Sequence, residues 1–125
     1  MRKQNHFRKS PNGLYAWDVH RLIELSKDLA IENVPLSNIK ELDEAYWFDC
    51  PGDNPTGRVI VGHMRLVMDA DLSYPIILCA DGGLMDGMHR VAKAFLQGEP
   101  TIKAVRFLKT PKPDHTDVTP QELPY

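Results

Sequence analysis

Residues 74–98 constrain the fold more than any other part of the chain. Tyr74-Pro75-Ile76-Ile77-Leu78-Cys79-Ala80 is a continuous apolar run of strand length, and Asp81-Gly82-Gly83 carries the residues a tight turn needs. Leu84-Met85-Asp86 then reads as the returning strand. Gly87 ends it, and from His89 the apolar positions Val91, Ala94, Phe95 and Leu96 take helical spacing until Gly98 stops it. The spacing predicts a mixed sheet in which the Leu84 to Asp86 strand feeds a helix that begins within two residues of Met88.

The rest of the chain supplies further helices and strands around this unit, which makes the class α+β. Val19, Leu22, Ile23, Leu25, Leu29 and Ala30 predict a helix over Asp18 to Ile31, with Asp18 accepting the free first-turn amide hydrogens. Val34-Pro35-Leu36 reads as a short extended piece, and Ser37 to Glu44 as a turn or short helix. Tyr46-Trp47-Phe48 is assigned to packing, as a strand or core plug, rather than to base stacking. The prolines and glycine of Asp49 to Pro55 make a loop. Thr56 then caps a second helix to about Ala70, whose stripe is Val59, Ile60, Met64, Val67 and Met68. Thr101 to Phe107 is the last strand.

Length and charge limit the remaining choices. With 125 residues the chain holds one domain with one core, large enough to need no disulfide or metal staple. Its 15 basic and 17 acidic residues leave a formal charge of -2, which disfavours a broad nucleic-acid coat. Residues 1–13 read as a basic N-terminal arm, residues 14–108 as the domain, and residues 109–125, with Pro111, Pro113, Pro120 and Pro124, as a proline-rich C-terminal tail. Cys50 and Cys79 stand 29 positions apart outside any C-x-x-C pair, so both are expected to be unpaired in a reducing compartment. No apolar run has the length of a signal core or membrane span, and a cytoplasmic protein without a membrane partner is expected.

The candidate chemistry lies at Asp86-Gly87-Met88-His89-Arg90. A helix beginning here leaves amide hydrogens free, and the helix dipole favours an anion beside them. Gly87 lets that anion come close, while His89 and Arg90 place cationic side chains where the helix itself disfavours them. Phosphate is the natural ligand, and each residue also has an ordinary structural reading. Arg58, Gly62 and Arg65 align two guanidinium groups along one side of the second helix, either as phosphate contacts or as surface arginines. His6, His20, His63 and His115 have no metal-hydrolase spacing.

At these residues the chain resembles the ParB/sulfiredoxin-like superfamily, whose phosphate element follows a strand and opens a helix with a pattern close to G-x-x-R-x-x-A. Gly87 and Arg90 fall on its glycine and arginine, and Gly87-Met88-His89-Arg90 is similar to the glycine, cysteine, histidine, arginine signature of sulfiredoxin. The resemblance runs from Val34 to about Phe107 in order of elements, with the Asp18 helix as an addition. It implies a ParB/sulfiredoxin-like mixed sheet packed with helices, and a nucleotide-binding domain like the N-terminal domain of ParB.

The departures from the pattern restrict the chemistry. Met88 stands where sulfiredoxin has its cysteine, and a thioether is no nucleophile, so peroxiredoxin repair is not expected. Met88, His89, Ala92 and Lys93 replace residues of the ParB box, so a preference for CTP does not carry over. The chain is expected to lack the helix-turn-helix and dimerisation domains of a partition protein. An aspartate directly before the glycine, as in the free serine kinases of the superfamily, makes Asp86 a candidate Mg2+ ligand or else a turn residue. Glu41, Asp43 and Glu44 lie in the region where that branch carries acidic catalytic residues, and a solvated charged turn is the favoured reading.

The expectation is therefore a nucleotide-binding or phosphate-binding protein, with ATP, ADP or CTP unresolved, that hydrolyses or transfers a phosphoryl group with Mg2+. Asp86 and His89 would be catalytic, and Asp86 would hold the metal. Gly87, Met88, His89, Arg90, Arg58 and Arg65 would bind the cofactor. The alternatives are a non-catalytic regulatory or DNA-associated module and a ParB-like nuclease.

Overall fold

The structure, a computed structural model, describes residues 4–49 and 54–123. In chain order these form β1 (Asn5–Ser10), β2 (Gly13–Asp18), α1 (Val19–Ser26), β3 (Glu32–Pro35), α2 (Gly57–Asp69), β4 (Ile76–Leu78), β5 (Leu84–Asp86), α3 (Met88–Leu96), β6 (Thr101–Arg106) and β7 (His115–Val118). The class is α+β, as the sequence predicts. One sheet has the order β1-β2-β7 and is antiparallel throughout. The other has the order β3-β6-β4-β5 and is mixed, because β4 runs parallel to β6 while β3 and β5 run antiparallel to their neighbours.

The period-two alternation of a strand explains how the second sheet is covered on both faces. Ile76 and Leu78 point to one side, where Leu84 joins Met88, Val91 and Ala94 of α3 together with Leu36 and Ile39. Ile77 and Cys79 point to the other, against Trp17 of β2, Leu22 of α1, Met85, Val105 and Phe107. Helix α3 thus seals one face, and β2 with α1 seals the other. The return from α3 to β6 is set by Gly98, whose positive φ of 73° lets its own amide reach the carbonyl of Phe95 and that of Glu99 reach the carbonyl of Ala94.

Several sequence expectations are corrected. Residues 5–10 are no free arm: they pair with β2 over their whole length, and His6 is buried. The proline-rich tail is likewise tied down, since β7 adds to β2, Trp17 Nε1 donates to the Pro111 carbonyl at 2.8 Å, and Arg21 meets Asp114 at 3.0 Å. Helix α1 is capped by Asp18, as expected, but ends at Ser26, whose hydroxyl turns back to the Ile23 carbonyl. Tyr46–Phe48 forms a 3-10 turn rather than a strand. The apolar stripe of α2 is not core, because no residue of that helix is buried, and Phe95 and Leu96 of α3 are also exposed. Cys79 is unpaired. Cys50, residues 1–3 of the predicted arm, residues 50–53 of the predicted loop and Pro124 lie outside the described residues.

Candidate functional site

Strand β5 delivers Asp86 to the mouth of a cleft of about 530 Å3, and Gly87 turns the chain there into α3. Gly87 has φ 111°, a left-handed conformation that favours glycine, and a Cβ at this position would stand 2.6 Å from Ile76 Cγ2. The first helical hydrogen bond runs from the Val91 amide to the Gly87 carbonyl, which leaves the amides of Met88, His89 and Arg90 ahead of it. Gly87 has no capping side chain. Gln4, Asn5, His6, Tyr46 and Asp71 are among the residues that complete the cleft wall.

The side chains around this turn are engaged with one another. Arg90 donates to Asp86 at 2.9 Å and to the Pro75 carbonyl at 3.1 Å, so its guanidinium braces the start of the β4 region against the end of β5. Burial raises the Asp86 carboxyl above its usual range, against the pull of Arg90 and of the Gly87 amide. His89 Nε2 lies 2.9 Å from His63 Nδ1 of α2, and Trp47 stacks on both rings at centroid distances of 4.8 and 4.2 Å. Burial, then His63 and Arg90, push His89 down to about 4, so it is a neutral hydrogen-bonding group at pH 7 and not the expected cation.

Gly87, Met88, His89, Arg90 and Asp86 therefore meet at one cleft, as the sequence suggests. Arg58 and Arg65 do not join them. They line a separate shallow depression with Gly57, Val61 and Gly62 on the outer side of α2. The acidic trio also separates: Asp43 and Glu44 are exposed, whereas Glu41 is buried with its Oε2 accepting from the Leu84 amide at 2.9 Å. The solvated-turn reading fails for Glu41 because the 3-10 turn at Lys40–Asp43 directs it under the β4–β5 hairpin.

Three participants escape a sequence reading. His63 has no metal spacing, yet it meets His89 across two helices, and only the packing of α2 on α3 makes the pair. Tyr46 is also drawn in: burial, then the charges of Asp86 and Glu41, raise its hydroxyl to about 12. Lys93 donates to the carbonyls of Met68 and Ala70 and so closes the end of α2. A lysine three residues after the motif arginine is the one visible signal for that cap. No protein family, curated protein or solved structure matches the chain.

Proposed function

We propose that the protein binds a nucleotide or another phosphorylated small molecule in the cleft where β5 passes through Gly87 into α3. The observation that carries this reading is the left-handed, side-chain-free Gly87, which opens α3 at the cleft while the amides of Met88, His89 and Arg90 have no hydrogen-bond partner among the described residues. The strand, glycine and helix stand in the order of the ParB/sulfiredoxin-like phosphate element, and that resemblance supports the same ligand. His89, neutral at pH 7, offers a hydrogen bond in place of a charge. Asp86 fits the single carboxylate by which Mg2+ is commonly held alongside substrate phosphates, where the metal would neutralise phosphate charge. Arg90, released from Asp86 by such an exchange, would then contact the phosphate. Hydrolysis or transfer of a terminal phosphoryl group in the cytoplasm is the chemistry this arrangement would serve.

The test is a melting panel of ATP, ADP, CTP and GTP with and without Mg2+, followed by amide chemical shifts with the best ligand. At 100 times its dissociation constant a nucleotide stabilises by about 2.7 kcal/mol, or at least about 5 °C here. The largest shifts are expected at the amides of Met88, His89 and Arg90. A flat panel, or shifts centred on Arg58 and Arg65 instead, overturns the reading. The exposed apolar side chains of α2 favour a second one, a regulatory module that binds nucleotide without turnover and acts through a partner. Nucleotide binding with no phosphate release would select it.

A further inference from the structure

Helix α2 leaves an apolar face uncovered among the described residues. Val61 is 54% exposed, Met64 58% and Met68 65%, and Leu96 of α3 beside them is 67% exposed. Between these side chains and Trp47 and Phe48 runs a groove of about 250 Å3 whose lining is apolar apart from His63. A continuous apolar patch of this kind marks an interaction surface. The charges beside it say which occupant fits. Arg58 and Asp69 are both exposed, and none of the ion pairs among the described residues includes either. They stand eleven positions apart. At about 100° per residue that is three full turns and about 20° more, so they share one flank at opposite ends of the helix, about 16 Å apart along its axis. A uniformly acidic partner or an anionic lipid surface would suit Arg58 and oppose Asp69. A second copy of α2 laid antiparallel suits both, because each arginine then meets the aspartate of the other copy.

We propose that α2 is a homodimer interface in which two copies pack antiparallel across a twofold axis near Met64. Such an interface is isologous, so every contact is made twice. Setting Arg58 level with Asp69 of the second copy fixes the register. Met64 then lies beside its own copy at the axis, and Val61 lies within about 3 Å of the level of Met68 of the second copy. Gly57 borders the same Met68, and nothing fills the space where its Cβ would stand, so the thioether side chain has room there. The groove toward Leu96 extends this apolar centre, and Arg58 and Asp69 form a charged rim beside it. Arg65, on the same flank nearer the axis, faces its own copy in solvent, where like charge costs little and keeps the pairing weak. One helix per copy is small beside the about 800 Å2 a side that stable complexes bury, so the dimer forms only as concentration rises.

The test is sedimentation equilibrium of the full chain, without nucleotide and at low salt, from about 10 μM to about 1 mM. The mass is expected to rise from 14.2 kDa toward twice that value. Met64→Glu should weaken association at least tenfold. Arg58→Glu and Asp69→Arg should each weaken it at least threefold, and the double variant carrying both should recover most of that loss. These variants keep the fold, because Met64 is exposed and both charge reversals suit the helix dipole, and melting curves check it. A chain that stays at 14.2 kDa across the range overturns the proposal and leaves the face to a different partner. Association that Met64→Glu leaves unchanged, or a double variant no tighter than the single ones, overturns it as well. Nucleotide plays no part in any of these outcomes, so the proposal stands or falls apart from the phosphate reading.

Discussion

Arg90 shows how one side chain can serve the frame and the ligand at once. Its bonds to Asp86 and the Pro75 carbonyl are largely shielded from water, so Arg90→Ala is expected to lower stability by about 1–3 kcal/mol before any ligand is added. Urea melts of the ligand-free proteins measure this, and unchanged stability would leave Arg90 with a ligand role alone. Histidine protonation gives a second expectation. His6 and His89 are each pushed down to about 4, chiefly by burial, whereas unfolded histidine titrates near 6.5. The folded state then binds fewer protons between those values. Stability is accordingly full above pH 6.5 and falls as pH drops toward 4, with a limiting slope of about 1.4 kcal/mol per pH unit for each histidine. Half-buried His89 contributes less than that limit. Asp86 acts in the opposite sense, since its raised carboxyl contributes in acid and loses that contribution as pH rises through its folded value. Urea melts between pH 7 and 5 should show a shallower fall in His89→Gln than in the parent, and equal slopes would remove His89 from the account. The motif residues were legible in the sequence, because glycine before a helical stripe is a local signal. Their pairing was not, since a hydrogen bond from α2 to α3 depends on how two helices meet.

Helix α2 is the element whose existence and whose environment separate most clearly. Thr56 caps it as predicted, its hydroxyl accepting from the Val59 amide at 3.2 Å, and the helix runs from Gly57 to Asp69. Yet Val61, Met64, Leu66 and Met68 are all more than half exposed. Spacing reports that a helix has an apolar side, whereas burial needs another element to arrive over it, and among the described residues α3, Trp47 and Phe48 cover α2 only in part. A helix so little buried gains little stability from packing. In the dilute monomer, amide exchange should therefore be faster in α2 than in α3, whose Met88, Val91 and Ala94 are core. Lys93→Met removes the donor to the Met68 and Ala70 carbonyls and should cost about 1–2 kcal/mol, quickening exchange in α2 while α3 keeps its protection. Equal protection of the two helices in the parent would show that α2 is covered by more than this chain.

Across the whole molecule, the two sheets depend on segments far apart in sequence. Strand β7, Asp114 and the Pro111 carbonyl all bind β2 or α1, so truncation after Thr110 should open the β1-β2 hairpin, expose Trp17 and lower the melting temperature markedly. Trp17 is buried at present, and tryptophan emission that does not move to the red in the truncated chain would count against this role. The N-terminal residues misread as an arm belong to the same lesson. Asn5–Ser10 is polar and basic and carries no strong strand pattern of its own, but it finds a partner in β2 across a two-residue turn. By itself the sequence determined the α+β class, the β4–β5 hairpin, the Gly87 entry into α3 and the helix caps at Asp18 and Thr56. Each rests on neighbours within a few positions, through turn geometry, capping and periodicity. Only the tertiary structure decided that β1 and β7 complete a sheet, that Glu41 is buried beneath the hairpin, and that Arg58 and Arg65 stand apart from Gly87. Those contacts join residues tens of positions apart, and their energies depend on desolvation and on which surfaces meet, which no local pattern encodes.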